Sequence, residues 1–99
     1  MSRAALFGAV NDHLGRGDTG EAVRIAELLV ERRPRDELAR RLLGRAYERA
    51  GRLDAALVAY ALAVENGSPH VGAIRGSLEA LRQKMRPPGA GGTPARERG

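Results

Sequence analysis

The feature that most constrains the fold is a pattern of small and large residues that recurs after 34 positions. Its clearest copy, over residues 37–70, reads Arg40-x-x-Leu43-Gly44-x-x-Tyr47, then Ala56-x-x-x-Tyr60, then Ala63. A weaker copy occupies residues 3–36, where Gly17 aligns with Gly51 and Ala22 with Ala56. Units of this length bury their apolar faces by stacking on one another. The period therefore predicts a small helical array.

Glycine, proline and capping residues divide the sequence into five predicted helices. Ser2, Asp36 and Ser68 stand where N-caps are expected, and Asp18 precedes Glu21 by three positions in a capping-box relation. The predicted helices run from about Arg3 to Gly15, from Asp18 or Thr19 to the arginines before Pro34, from Glu37 to Ala50, from Leu53 to Asn66, and from His70 to Met85. Apolar residues recur at helical spacing in each segment, which predicts an all-α fold.

The pattern resembles the tetratricopeptide (TPR) repeat, in which W-x-x-L-G-x-x-Y, A-x-x-x-F and a late proline have these spacings. Here Arg40 replaces the usual large first residue, and Pro69 arrives one position late. The resemblance implies an α-solenoid of two antiparallel helix hairpins, residues 3–36 and 37–70, followed by a capping helix, residues 70–85. We therefore expect one helical domain over residues 1–85.

The repeat positions have packing roles. Small residues at Gly44, Ala56 and Ala63 let the helices of a hairpin approach closely, and Ala22 is the matching small residue of the first copy. The larger Leu43, Tyr47 and Tyr60 are expected to fill the space between hairpins. In the first copy the positions of Leu43, Gly44, Tyr47 and Tyr60 hold Ala9, Val10, His13 and Ala26. The second copy is thus the better match.

The composition fits a soluble module and leaves the meaning of its charge open. The net charge is +5, and 16 of the 17 basic residues are Arg, Lys84 being the exception. This excess reflects either binding of anions or a compositional bias. No signal-like or membrane-spanning apolar run occurs and there is no Cys, so we expect a cytoplasmic protein. Residues 86–99, rich in Pro and Gly, are predicted to be a disordered basic tail.

The resemblance also implies a binding surface, because the first helix of each hairpin lines a concave groove in this family. The implied partner-binding positions are Phe7, Asn11, Leu38, Arg41, Leu42, Arg45, Arg49, Arg75 and Arg82. Glu79 is a further implied groove position, between the last two. In the third predicted helix, Arg41, Arg45 and Arg49 have i, i+4, i+8 spacing and form a column of like charges, called the arginine column below. Glu48 and Glu79, or an acidic ligand, should compensate this column, unless it is an ordinary solvated face.

These observations predict a non-catalytic interaction module, an adaptor or assembly factor, that binds a peptide or partner helix, most readily an acidic one. One alternative is a homo-oligomeric structural subunit, such as a homodimer, that uses Phe7, Leu38 and Leu42 as an apolar contact patch. Another is an accessory binder of anionic polymer, although the interleaved aromatics typical of nucleic-acid binding are missing. No membrane partner is expected.

Some family members dock C-terminal peptides through a carboxylate clamp of Lys, Asn and Arg side chains. Only Asn11 of that clamp is retained, since Phe7, Leu42, Gly72 and Gly76 occupy the other positions. Chaperone docking is therefore not expected. His13 and His70 lack a second ligand at i+3 or i+4, and the glycine-rich residues 15–20 follow no strand. We accordingly predict no catalytic residues, no metal site and no cofactor.

Overall fold

The computed structural model describes residues 2–65, 67 and 71–85, and these residues form an all-α fold. The helices are α1 (Arg3–Arg16), α2 (Thr19–Arg32), α3 (Glu37–Arg49), α4 (Leu53–Glu65) and α5 (Val71–Met85). They agree with the predicted segments to within one or two residues. The predicted Ser68 cap, Pro69, the helix start at His70 and the tail 86–99 lie outside the described residues. In the part of the chain that is described, no helix has the length and apolarity needed to cross a bilayer.

Among the described residues, side-chain caps begin α1 and α3. The Ser2 hydroxyl accepts a hydrogen bond from the Ala5 amide at 3.1 Å, and the Asp36 carboxylate accepts from the amides of Leu38 and Ala39. The predicted caps at Ser2 and Asp36 are confirmed. The predicted capping box of α2 is wrong, because the Asp18 side chain makes no capping bond. The Glu21 carboxylate accepts instead from Arg24, one turn further along.

Left-handed glycines close the tight turns inside the hairpins. Gly17 has φ +83° and Gly51 has φ +80°, a region that glycine enters without steric cost. The chain then folds back, so that the amide of Asp18 donates to the His13 carbonyl at 2.8 Å. Arg52 makes the equivalent 2.8 Å bond to the Tyr47 carbonyl. These turns set the antiparallel direction of α1 against α2 and of α3 against α4.

Consecutive helices pack against each other, and α1 also contacts α3. One apolar cluster joins the first hairpin to α3 and to one residue of α4, and its buried residues are Leu6, Val10, Leu14, Ala22, Val23, Ile25, Ala26, Leu29, Ala39, Leu42, Leu43, Ala46 and Ala59. A second cluster joins α4 to α5 and contains Ala56, Tyr60, Ala63, Ile74 and Leu81. Because Ile74 and Leu81 are almost fully buried, α5 covers the end of the second hairpin as a capping helix does.

Close approach within the second hairpin depends on Gly44. A Cβ atom at this position would lie 2.9 Å from two ring carbons of Tyr60, nearer than real Cβ contacts allow. The Tyr60 ring therefore packs on the bare backbone of α3, inside its own hairpin, whereas the repeat pattern predicts it between the hairpins. Tyr47 does link the hairpins, because its hydroxyl donates to Glu27 of α2 at 2.5 Å.

Candidate functional site, an arginine-lined groove

Side chains from four helices enclose a groove of about 530 Å³, a size typical of ligand sites. Helix α3 forms one long wall, while α1, α4 and α5 contribute at its sides. The lining residues are Phe7, Asn11, Leu38, Arg41, Leu42, Arg45, Glu48, Arg49, Tyr60, Ser77 and Lys84. Four of these side chains are cationic and one is a carboxylate, so the groove carries a net positive charge.

The structure brings most of the predicted binding positions together. All those predicted on α1 and α3 line the groove: Phe7, Asn11, Leu38, Arg41, Leu42, Arg45 and Arg49. Arg75 and Arg82 of α5 do not, and neither does Glu79; all three are exposed elsewhere on that helix. These positions of α5 therefore lie outside the groove, contrary to the expectation from the family resemblance.

Residues that the sequence analysis missed complete the groove on α4 and α5. Burial of Ile74 and Leu81 against α4 fixes the rotation of α5 about its axis. Ser77 and Lys84 each follow one of these anchors by three positions, which brings both to the groove side. The spacing of the two anchors was thus the available signal for these two residues. Tyr60 enters because its ring packs on α3.

The predicted arginine column lies along the groove side of α3. Arg41, Arg45 and Arg49 follow one another at one-turn intervals, or about 6 Å along the helix axis. Arg41 is half-buried, whereas Arg45 and Arg49 are exposed. Among the described residues, no acidic side chain forms an ion pair with any of the three. Their mutual repulsion is not relieved by direct pairing within this part of the chain.

Both carboxylates expected to neutralise the column are engaged elsewhere. Glu48 accepts a hydrogen bond from the Tyr60 hydroxyl at 3.1 Å through Oε1, and Lys84 Nζ lies 3.1 Å from its Oε2. Glu79 lies beside Arg82 of its own helix, at 3.9 Å. The triad of Tyr60, Glu48 and Lys84 ties α3, α4 and α5 together at the groove, and it leaves the arginines available.

Tyr60 serves the groove as a neutral hydrogen-bond donor. Burial, followed by the charge of Glu48 and the hydrogen bond to it, raises the pKa of the Tyr60 hydroxyl to about 12. The positive charges of Arg45 and Arg41 act in the opposite direction but do not offset these effects. The phenol therefore keeps its proton at neutral pH, and it holds the Glu48 carboxylate in place on the groove wall.

The apolar end of the groove is more covered than the sequence indicates. Leu42 is only 8% exposed because it joins the core, while Phe7 and Leu38 are half-buried. The guanidinium of Arg3 lies over the Phe7 ring at 4.4 Å from its centroid. The open contact patch expected from these three residues is therefore reduced to the edges of Phe7 and Leu38.

Residues 7–70 match the protein family described as Tetratricopeptide repeat, a span that begins within α1, includes α2, α3 and α4, and covers more than half of the chain. No curated protein matches the sequence. The matched span contains the glycine turns and the Gly44–Tyr60 contact described above. The chain belongs to the tetratricopeptide repeat family.

Proposed function

We propose that this protein is a non-catalytic adaptor or assembly factor that binds an acidic peptide segment of a partner protein in the arginine-lined groove. Repeats of this family generally mediate protein–protein interactions. The observation that carries the proposal is the column of Arg41, Arg45 and Arg49, which lines the groove without an acidic partner among the described residues.

The chemistry of the column favours carboxylates. A guanidinium presents its donors as a planar fork that matches a carboxylate bidentately. Successive arginines lie about 6 Å apart along α3, and alternate residues of an extended peptide lie about 6.7 Å apart. An extended segment with acidic residues at alternate positions therefore fits the column. The edges of Phe7 and Leu38 can receive an apolar side chain at one end of such a segment.

A labelled peptide tests this proposal directly. We would titrate the full chain into a fluorescein-labelled peptide with three alternating Asp residues and a terminal Leu, and follow anisotropy at low salt. The double variant Arg41→Glu/Arg45→Glu is expected to weaken binding at least tenfold, because two attractive contacts become repulsive. Circular dichroism should show unchanged helicity, since both side chains are on the groove surface.

The matched control changes the same charge outside the groove. Arg33 and Arg35 are exposed in the turn between α2 and α3, so Arg33→Glu/Arg35→Glu alters the net charge equally. This control should bind the peptide within about twofold of the wild type. Equal losses for the two double variants would mean that only overall charge matters. Unchanged binding by Arg41→Glu/Arg45→Glu would remove the groove from consideration.

A further inference from the structure

The side of α4 turned away from the groove carries an apolar stripe. Val58 is 60% exposed, the most exposed large apolar side chain among the described residues. It is two positions from Tyr60, or about 200° around the helix, so it points away from the groove that Tyr60 lines. Ala55, Ala61 and Leu62 lie three or four positions from Val58 on the same side, where none of them is buried.

The first hairpin carries charged side chains on the matching face of α2. The residues 34 positions before Ala55, Val58 and Ala61 are Glu21, Arg24 and Glu27. Glu21 and Arg24 form an ion pair on the surface of α2, and Glu27 accepts the hydrogen bond from Tyr47. The same face of α4 has no such groups. A helix that is apolar on all sides is normally buried on all sides. The Val58 side of α4 therefore lacks the packing partner that such a helix usually has.

Charge divides the helices into two groups. Helices α2 and α4 together carry five acidic side chains and two basic ones, and α4 has only Asp54 and Glu65, one at each end. Helices α1, α3 and α5 together carry nine basic side chains and four acidic ones. The acid-flanked stripe of α4 is therefore complementary to the basic groove of the same molecule.

The spacing of the two surfaces also corresponds. Val58, Leu62 and Glu65 of α4 stand at i, i+4 and i+7. On the groove wall, Leu38, Leu42 and Arg45 of α3 have the same i, i+4 and i+7 spacing. A helix laid parallel to α3 in this register would place its apolar pair against Leu38 and the rim of Leu42. Its carboxylate would then reach the arginine column, about 10 Å further along.

We propose that the α4 stripe of one copy docks in the groove of a second copy, which gives a head-to-tail association. This inference rests on the proposed function, since it takes the groove as a site for acidic partners and names a second copy of the chain as one of them. The contact is heterologous, so each copy in a pair keeps one free groove or one free stripe and association can continue. A two-fold pairing of α4 with α4 is disfavoured, because both helices bring carboxylates and no cation.

Two variants that each disable one surface test the proposal. Val58→Glu places a charge in the stripe at an exposed position, and Arg45→Glu reverses the groove charge that faces Glu65. We would measure the mass of the full chain by sedimentation equilibrium, from 10 µM to 1 mM at low salt. The wild type is expected to increase in mass with concentration, and each variant alone should stay monomeric. An equimolar mixture of the variants should form a dimer and stop there, since only one working interface remains.

Several results would overturn the proposal. A wild-type chain that stays monomeric at 1 mM would exclude self-docking. Association of Arg45→Glu alone would point to a two-fold contact through α4, and association of Val58→Glu alone would point to another surface. The control Arg33→Glu should behave as the wild type; loss of its association would assign the effect to net charge.

The labelled acidic peptide separates this inference from the proposed function. The Val58→Glu variant keeps its groove, so it should bind the peptide as the wild type does. A monomeric wild type that still binds the peptide would overturn self-docking alone. If neither association nor peptide binding occurred, both proposals would be wrong.

Discussion

The two hairpins of this protein fill the same contact with opposite arrangements of large and small residues. In the first hairpin Val10 of α1 and Ala26 of α2 are both completely buried. At the positions 34 residues later, Gly44 of α3 leaves room for the ring of Tyr60 on α4. The repeat therefore preserves close packing of the helix pair, while the residue that supplies the bulk changes from one helix to the other.

The hairpins also differ in what they present outward. The groove takes Phe7 and Asn11 from the first hairpin, but all three of its arginines come from α3 of the second. On the far side, α2 carries the Glu21–Arg24 ion pair where α4 exposes Val58. The first hairpin thus chiefly supports the fold, and the second carries the surfaces that we propose for binding.

The largest expected effect on stability comes from removing the large residue of the second hairpin's contact, Tyr60. Tyr60→Ala should reduce the free energy of unfolding by about 3–5 kcal/mol, since it removes a buried ring. The double variant Gly44→Val/Tyr60→Ala recreates the valine–alanine pair, and it should cost less than the two single changes added together. Urea denaturation followed by circular dichroism measures each value. Simple additivity would contradict the idea that the two positions compensate each other.

A single methyl group should have opposite effects in the two hairpins. Gly44→Ala should reduce the free energy of unfolding by about 1–3 kcal/mol, because the new Cβ would overlap the Tyr60 ring. Gly8→Ala in α1 meets no atom within 4 Å and should instead stabilise by about 0.5–1 kcal/mol through helix propensity. Thermal unfolding of both variants gives the sign of each change. A stabilising Gly44→Ala would mean that the helices are further apart than described.

The residues before α2 and α3 should differ in how much they stabilise the helix that follows. Asp36→Ala should cost about 1–2 kcal/mol, since it removes the hydrogen bonds from two amides at the start of α3 and the contact of Asp36 with Arg3 of α1. Asp18→Ala should cost much less, about 0.5 kcal/mol at most, because the Asp18 side chain does not cap α2. Equal costs for the two substitutions would contradict the distinction.

The contribution of Asp36 should also depend on pH. The hydrogen bond from Arg3, helped by the Ala39 and Leu38 amides, holds the pKa of the Asp36 carboxyl below its ordinary value of 3.8. A depressed folded-state pKa stabilises the fold above that ordinary value and stops doing so as the pH falls through the folded-state pKa. The difference between the wild type and Asp36→Ala should therefore be constant near neutrality and shrink below about pH 3.8. Urea midpoints measured across this range would show it.

The smallest effect is expected at the link between the hairpins. Tyr47→Phe deletes the hydroxyl that donates to Glu27 and should cost about 0.5–1 kcal/mol, at the low end because the contact is exposed. In a Glu27→Ala background the same substitution should have almost no further effect. Urea midpoints for this double-mutant cycle measure the coupling directly, and a coupling near zero would show that the bond does not join the hairpins in solution.

Local signals predicted much of this structure. The Ser2 and Asp36 caps and the glycines at 17 and 51 act within one turn of chain, so their roles follow from neighbouring residues alone. The α3 side of the groove was predicted as well, because the resemblance to the tetratricopeptide family implies which face of that helix is open. The capping box predicted at Asp18 does not form, and Glu21, its expected partner, pairs with Arg24 instead.

The remaining features depend on packing between distant segments. Ser77 and Lys84 reach the groove through the rotation of α5, which the burial of Ile74 and Leu81 on α4 determines. The involvement of Glu48 with Tyr60 and Lys84 likewise needs three helices in place. The exposure of Val58 had a sequence signal, because residues 55–64 contain no charge, but only the fold shows which of these apolar residues stays uncovered.

The most direct test of the groove as the binding surface is an NMR titration of the ¹⁵N-labelled full chain with the acidic peptide at low salt. We predict that the amide signals of Leu38, Arg41, Arg45 and Arg49 shift along α3, together with those of Ser77 and Lys84 on α5. Signals of Arg24, on the far side of α2, should stay in place. Shifts confined to the turn around Arg33 and Arg35, or no shifts at all, would contradict the assignment of the groove.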